Sequence, residues 1–178
     1  MEQPRLYGLM AEFDNPADLL AAARAAYAEG YRKMDAYSPM PVHGLAEALG
    51  FHRNRLPLIV LLGGLVGCVT AFGMLWTIET IIYPLNVGGR PFNSWPAFIP
   101  ITFETTILFA ALAAVLGMLA LNGLPQPYHP VFNAPRFALA THNRFFLCIE
   151  AADPKFDPAA TRRFLESLHS REVVEVAP

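Results

Sequence analysis

Charge is what this chain has little of. Only 16% of its 178 residues are Asp, Glu, Lys or Arg, against roughly a quarter in an average soluble domain. Its 13 basic and 15 acidic side chains leave a formal net charge of −2, with an isoelectric point near 6.2. No basic stripe is left to meet a phosphate backbone, so nucleic acid is not an expected partner. Cysteine is as scarce: Cys68 and Cys148 are too few for a disulfide scaffold, a cysteine metal centre or an iron–sulfur cluster. The Cys-x-x-Cys-His string of a c-type haem is absent as well. No glycine-rich phosphate loop is found. The Gly63-Gly64 pair sits inside an apolar run, where glycine signals close approach of helices. The expectation is a chain with no catalytic residues, no cofactor and no metal of its own.

What is abundant is apolar surface: 54% of the residues are hydrophobic and the mean hydropathy is +0.33. Between Arg55 and Arg136 the ionised side chains are Glu79, Arg90 and Glu104. Two long apolar runs lie in that window, at 56–78 and 101–121, each close to the roughly 20 residues that cross a hydrocarbon core as a helix. They predict a transmembrane hairpin, with spans at about 57–79 and 101–122 and an outer loop at 83–100. The polar start, MEQPRLYGLMAEFDNP, lacks the apolar core of a signal peptide. Arg53 and Arg55 precede the first span, Arg136 and Arg144 follow the second, and only Arg90 lies between. Positive-inside bias therefore predicts both termini in the cytoplasm, with Trp76, Tyr83 and Trp95 as anchors at the outer interface.

The flanks, 1–55 and 123–178, each read as strand, helix, strand. On the amino side these are 5–13, 16–29 and 32–38, with a cap and proline at Asp14-Asn15-Pro16, a stop at Gly30, and a short helical stretch at 42–49. On the carboxy side they are 144–151, 158–168 behind Asp157, and 172–176. Neither flank has enough apolar residues for a core alone. The expected fold class is therefore an α+β membrane protein, in which a two-helix transmembrane hairpin (56–122) is inserted into a split ferredoxin-like (βαβ + βαβ) cytoplasmic domain. Metal chaperones with that fold carry paired cysteines after the first strand, where this chain has Glu12-Phe13-Asp14-Asn15, so a protein-binding role is the expectation.

The string PFNSWPAFIPITFETTILFAALAAVLGML, at 91–119, resembles the ActD-like family of alternative complex III. That family carries a Ser-Trp-Pro-x-x-Ile-Pro-x-x-Phe-Glu pattern between its helices. It is present here as Ser94, Trp95, Pro96, Ile99, Pro100, Phe103 and Glu104. The stretches LYGLMAEFDNPADLLAAA, YSPMPVHGLAEALG and IEAADPKFD are also similar to the family, so that the resemblance covers nearly the whole chain. It implies a noncatalytic subunit of a bacterial inner-membrane complex that oxidises quinol and passes electrons to a periplasmic acceptor or terminal oxidase. Haem c and iron–sulfur clusters are implied in other subunits. The implied partners are the other membrane and periplasmic subunits, the lipid bilayer and a terminal oxidase. The alternative is a free-standing small membrane-anchored binding or sensor protein.

Three sets of residues are candidates for a role. Glu79 and Glu104 are ionisable groups near the outer ends of the expected spans, where they could face each other at the edge of a proton path or quinol site. The plainer reading makes Glu104 a first-turn acid and lets Glu79 reach headgroup water. His129 and His142 lie beyond the second span at the inner face, with His43 and His52 before the first, as candidate titratable groups or plain surface. Small residues at helix-packing spacing, Gly63, Gly67 and Ala71 in the first span and Ala110, Ala114 and Gly117 in the second, mark close packing.

Overall fold

The computed structural model describes residues 6–52 and 54–178, so Arg5, at the start of the expected first strand, and Arg53 lie outside the described residues. The chain divides at 53/54 and at 126/127 into two compact units, one built from both flanks and one from the segment between them.

In the flanking unit β1 (Gly8–Phe13) leads into α1 (Pro16–Glu29), β2 (Met34–Tyr37) and the short α2 (Leu45–Ala48); β3 (Phe145–Glu150), α5 (Pro158–Ser167) and β4 (Glu172–Val176) complete it. The helix starts follow from the sequence. Asn15 Oδ1 accepts the Asp18 N–H at 2.8 Å and Asp157 Oδ1 accepts the Ala160 N–H at 2.7 Å, each followed by proline at the first helical position. Gly30 ends α1 at φ 110°, a left-handed conformation that costs glycine nothing. Leu19, Ala22, Ala23 and Ala26 form the buried stripe of α1, at the i, i+3, i+4, i+7 spacing of one helix face.

The four strands form one antiparallel sheet in the order β2-β3-β1-β4. Gly8 lies opposite Glu150 and Phe13 opposite Phe145; on the other side of β1, Gly8 lies opposite Val176 and Glu12 opposite Glu172. Strand alternation divides the core into two. Leu9, Ala11, Phe13, Phe145, Leu147 and Ile149 meet Leu19, Ala22, Ala26 and Leu165 of the helices. Met10, Phe146, Cys148 and Val176 point the opposite way, against Val131, Ala134, Phe137 and Ala140. That second layer comes from two 3-10 turns, Pro130–Asn133 and Phe137–Thr141, in a stretch to which the sequence pattern assigns no element. Because the sheet is covered on both faces, β1 is buried at every position. A large apolar side chain buried in this way contributes roughly 2 kcal/mol by transfer.

The second unit is a pair of apolar helices, each long enough to cross a membrane. The first is α3 (Leu56–Thr77), prolonged by a π-helical turn (Ile78–Ile82) that closes with the Tyr83 N–H on the Ile78 carbonyl at 2.8 Å. The second is α4 (Trp95–Leu121). It begins at Trp95 rather than at 101, a correction to the expected boundary. Pro96 fits the first turn, where no intrahelical N–H is needed, and the helix continues past Pro100. The connecting segment is correspondingly shorter than 83–100. Most of the motif placed in it by pattern lies on the helix: Ser94 is the residue before its start, while Trp95, Pro96, Pro100 and Phe103 are helical.

Candidate functional site

The helix pair packs through small residues. Gly64, Gly67 and Ala71 form the buried face of α3. A Cβ at Gly67 would come 2.8 Å from the Thr105 carbonyl and the Phe109 Cβ, and one at Gly64 would touch Ala110 and Thr106. Gly63 faces Ala113 and Phe109, and Gly117 faces Ile59 and Leu56. Of the expected packing residues, Gly63, Gly67, Ala71, Ala110 and Gly117 are therefore in this seam, while Ala114 is half-exposed beside it. Phe72 and Phe98 close one end edge-to-face at 5.8 Å. Ser94 is buried there, its Oγ donating to the Pro91 carbonyl at 2.6 Å. Trp95 and Phe103 are exposed.

Glu79 and Glu104 do not meet. Glu79 lies in the π-helical turn and forms an ion pair with Arg90 at 3.3 Å. Glu104 is exposed and has no side-chain ion pair or hydrogen bond among the described residues. Gly67 opposite Thr105 fixes the level of the two helices, which separates Glu79 from Glu104 by about 16 Å along the axis at 1.5 Å per residue. The early start of α4 is the reason: it carries Glu104 about 14 Å into the helix instead of leaving it in the first turn.

In the flanking unit His129 and His142 line one open groove of about 710 Å³, with Asp35, Tyr37, Phe132 and Phe137 around them. The Val131 N–H reaches His129 Nδ1 at 3.4 Å. His129 Nε2 lies 3.4 Å from the Tyr7 hydroxyl. Tyr7 in turn donates to Glu150 Oε1 at 3.3 Å. Burial, followed by the Glu150 carboxylate, pushes the Tyr7 pKa above the ordinary phenol range. Burial and then Asp35 do the same to Tyr37. Cys148 is raised to about 12 by burial, then by Glu150 and Asp35. It remains a thiol at neutral pH and is no nucleophile. Among the described residues no group of three or more His, Cys, Asp or Glu is placed to hold a metal ion.

One feature of this unit is invisible to pattern reading. Glu12 is 3% exposed on the second face of β1, and Arg136, Arg144 and Arg171 converge on it from 2.9 to 3.8 Å. Arg144 and Arg171 also pair with Asp14. The three guanidinium groups come from segments remote in sequence, so only a buried acid at an alternating strand position hints at them. Asp153 is the other buried acid: its carboxylate accepts the backbone N–H groups of Arg32, Lys33 and Lys155 at 2.7 to 2.8 Å. Burial opposes its charge, but these donors outweigh it and hold the carboxyl below its usual pKa.

Fold and site together define a class: an α+β domain interrupted by a pair of apolar helices, with buried charge used for structure. A family model for alternative complex III, ActD subunit, matches residues 7–175, and the chain belongs to that family. It is therefore a subunit of a respiratory, electron-transporting complex whose other subunits are its partners. No curated protein matches the chain.

Proposed function

We propose that the chain is a two-span, non-redox subunit of alternative complex III with a structural and assembly role. The strand order β2-β3-β1-β4, with helices following β1 and β3, supports a ferredoxin-like domain split by the hairpin. The distribution of Arg55, Arg136 and Arg144 against the single Arg90 supports placing that domain and both termini in the cytoplasm of a bacterial inner membrane. Haem c and iron–sulfur clusters reside in other subunits, and a terminal oxidase is a further partner in this reading.

The observation that carries the proposal is Glu104. An exposed carboxylate well inside an apolar helix, without a partner among the described residues, is costly against hydrocarbon. A neighbouring subunit that supplies a donor removes that cost. Glu104 is then the better candidate for a proton path or quinol-site edge, and Glu79 is held by Arg90. The test is cysteine labelling in intact cells, in a background lacking Cys68 and Cys148. A cysteine at Asn93 reacts with a membrane-impermeant maleimide from outside, and one at Asp157 reacts only after lysis. Labelling of both from the same side contradicts the two-span reading.

A further inference from the structure

Among the described residues β2 is one margin of the sheet, paired only with β3. The Glu150 N–H donates to the Lys33 carbonyl at 3.0 Å. By antiparallel alternation this turns the backbone groups of 35 and 37 toward β3 and those of 34, 36 and 38 toward the free margin. The four consecutive residues 35–38 all line the groove of about 710 Å³. Since their side chains alternate between faces, the groove runs along that margin. Its far wall is mainly apolar, interrupted by His129, Thr141 and His142, and Phe132 is 70% exposed. Among the described residues, Asp35 is the one Asp, Glu, Lys or Arg in its lining. The Asp35 carboxylate also accepts the Ala36 N–H at 2.9 Å, so it caps a donor that the margin would otherwise present. The opposite margin is managed differently: Arg162 donates to the Val173 carbonyl of β4 at 3.2 Å, and Glu172 and Glu175 stand exposed along it.

We propose that an extended segment from elsewhere in the complex, belonging to another of its subunits, adds to β2 as a fifth strand, placing an apolar side chain against Phe132 and a Lys or Arg on Asp35. Charge complementarity selects the occupant. Asp35 is exposed and meets no cation of its own chain among the described residues, and its carboxylate, after burial, is the next cause of the raised Tyr37 pKa. A basic side chain that takes the Asp35 carboxylate also frees the Ala36 N–H for the new strand, so that charge recognition and strand addition are coupled. Four residues of edge give modest affinity, which suits a segment already tethered within the same assembly. The proposal rests on the reading of this chain as a complex subunit.

The test places a photo-reactive benzoylphenylalanine at Phe132 in the complex in its native membranes and maps the cross-linked peptide. The expected product is a segment of another subunit with a Lys or Arg within about three residues of the attachment point. Asp35→Lys, which juxtaposes like charges, lowers the cross-link yield at least about tenfold, and Asp35→Glu retains it. Cross-linking to lipid or to nothing, or a yield insensitive to Asp35→Lys while the other subunits still copurify, overturns the proposal and leaves the subunit reading standing. A tagged chain that copurifies with no other subunit overturns both.

Discussion

Arg136 Nη2 donates to Glu12 Oε1 at 3.0 Å, while its Nε lies 2.9 Å from the second carboxylate oxygen. The pair joins the first strand to the segment that covers the sheet, 124 positions later. It fixes that cover in place, and with it the groove that the cover forms with β2.

Removing Glu12 leaves the arginines facing one another without their shared anion. Breaking a buried charged set by deleting one partner costs about 3 kcal/mol or more. Glu12→Ala is expected to lower the midpoint of thermal unfolding of the detergent-solubilised chain by several degrees and to open the segment around Phe137 to proteolysis. A midpoint unchanged from the parent contradicts the role given to Glu12.

Asp153 predicts an acid limb. Its folded pKa is depressed, so it contributes stability that is present above the ordinary carboxylate value, about 3.9, and is lost as pH falls through the folded value. Asp153→Asn is expected to cost about 2 kcal/mol at neutral pH, where charged acceptors of backbone N–H groups are strongest. It also flattens the dependence of stability on pH below about 4. Denaturant melts at neutral pH and in acid read both effects.

The seam of the hairpin predicts a contrast between two glycines on α3. Gly67 has the Thr105 carbonyl 2.8 Å from where its Cβ would stand, whereas a Cβ at Gly73 meets nothing within 4 Å. Gly67→Leu forces the helices apart at a cost of about 2 kcal/mol and is expected to lower the yield of assembled complex. Gly73→Leu is expected to leave that yield unchanged, and equal yields for both variants contradict the seam.

The two carboxylates of the helix pair predict different phenotypes. The Glu79–Arg90 pair is half-exposed, and pairs of this kind contribute about 0 to 1 kcal/mol, so Arg90→Ala leaves assembly and turnover close to the parent. Glu104→Gln, in a complex that still assembles, is expected to slow quinol oxidation. Normal assembly with unchanged turnover removes Glu104 from any proton or quinol path.

The strands, the caps at Asn15 and Asp157 and the glycine seam were legible because each rests on local chemistry: alternation, a side-chain oxygen before a proline, and small residues at helical spacing. The start of α4 was hidden because Pro96 and Pro100 read as loop, although proline suits a first turn and an apolar helix is able to continue past a second one. That shift also separated Glu79 from Glu104. The second covering layer was not legible. Val131, Ala134, Phe137 and Ala140 follow no single helical or strand period, and their burial depends on a sheet assembled from both ends of the chain. The arginines around Glu12 were hidden for the same reason.

The most direct test of the account is to tag this chain in its native host, extract it in mild detergent, stain the copurifying subunits for covalent haem and assay quinol oxidation. The account predicts haem-bearing partners at constant ratio to the tagged chain, with quinol oxidation in the same fractions. A chain that emerges alone, colourless and inactive contradicts it, and leaves a free-standing membrane-anchored binding protein in its place.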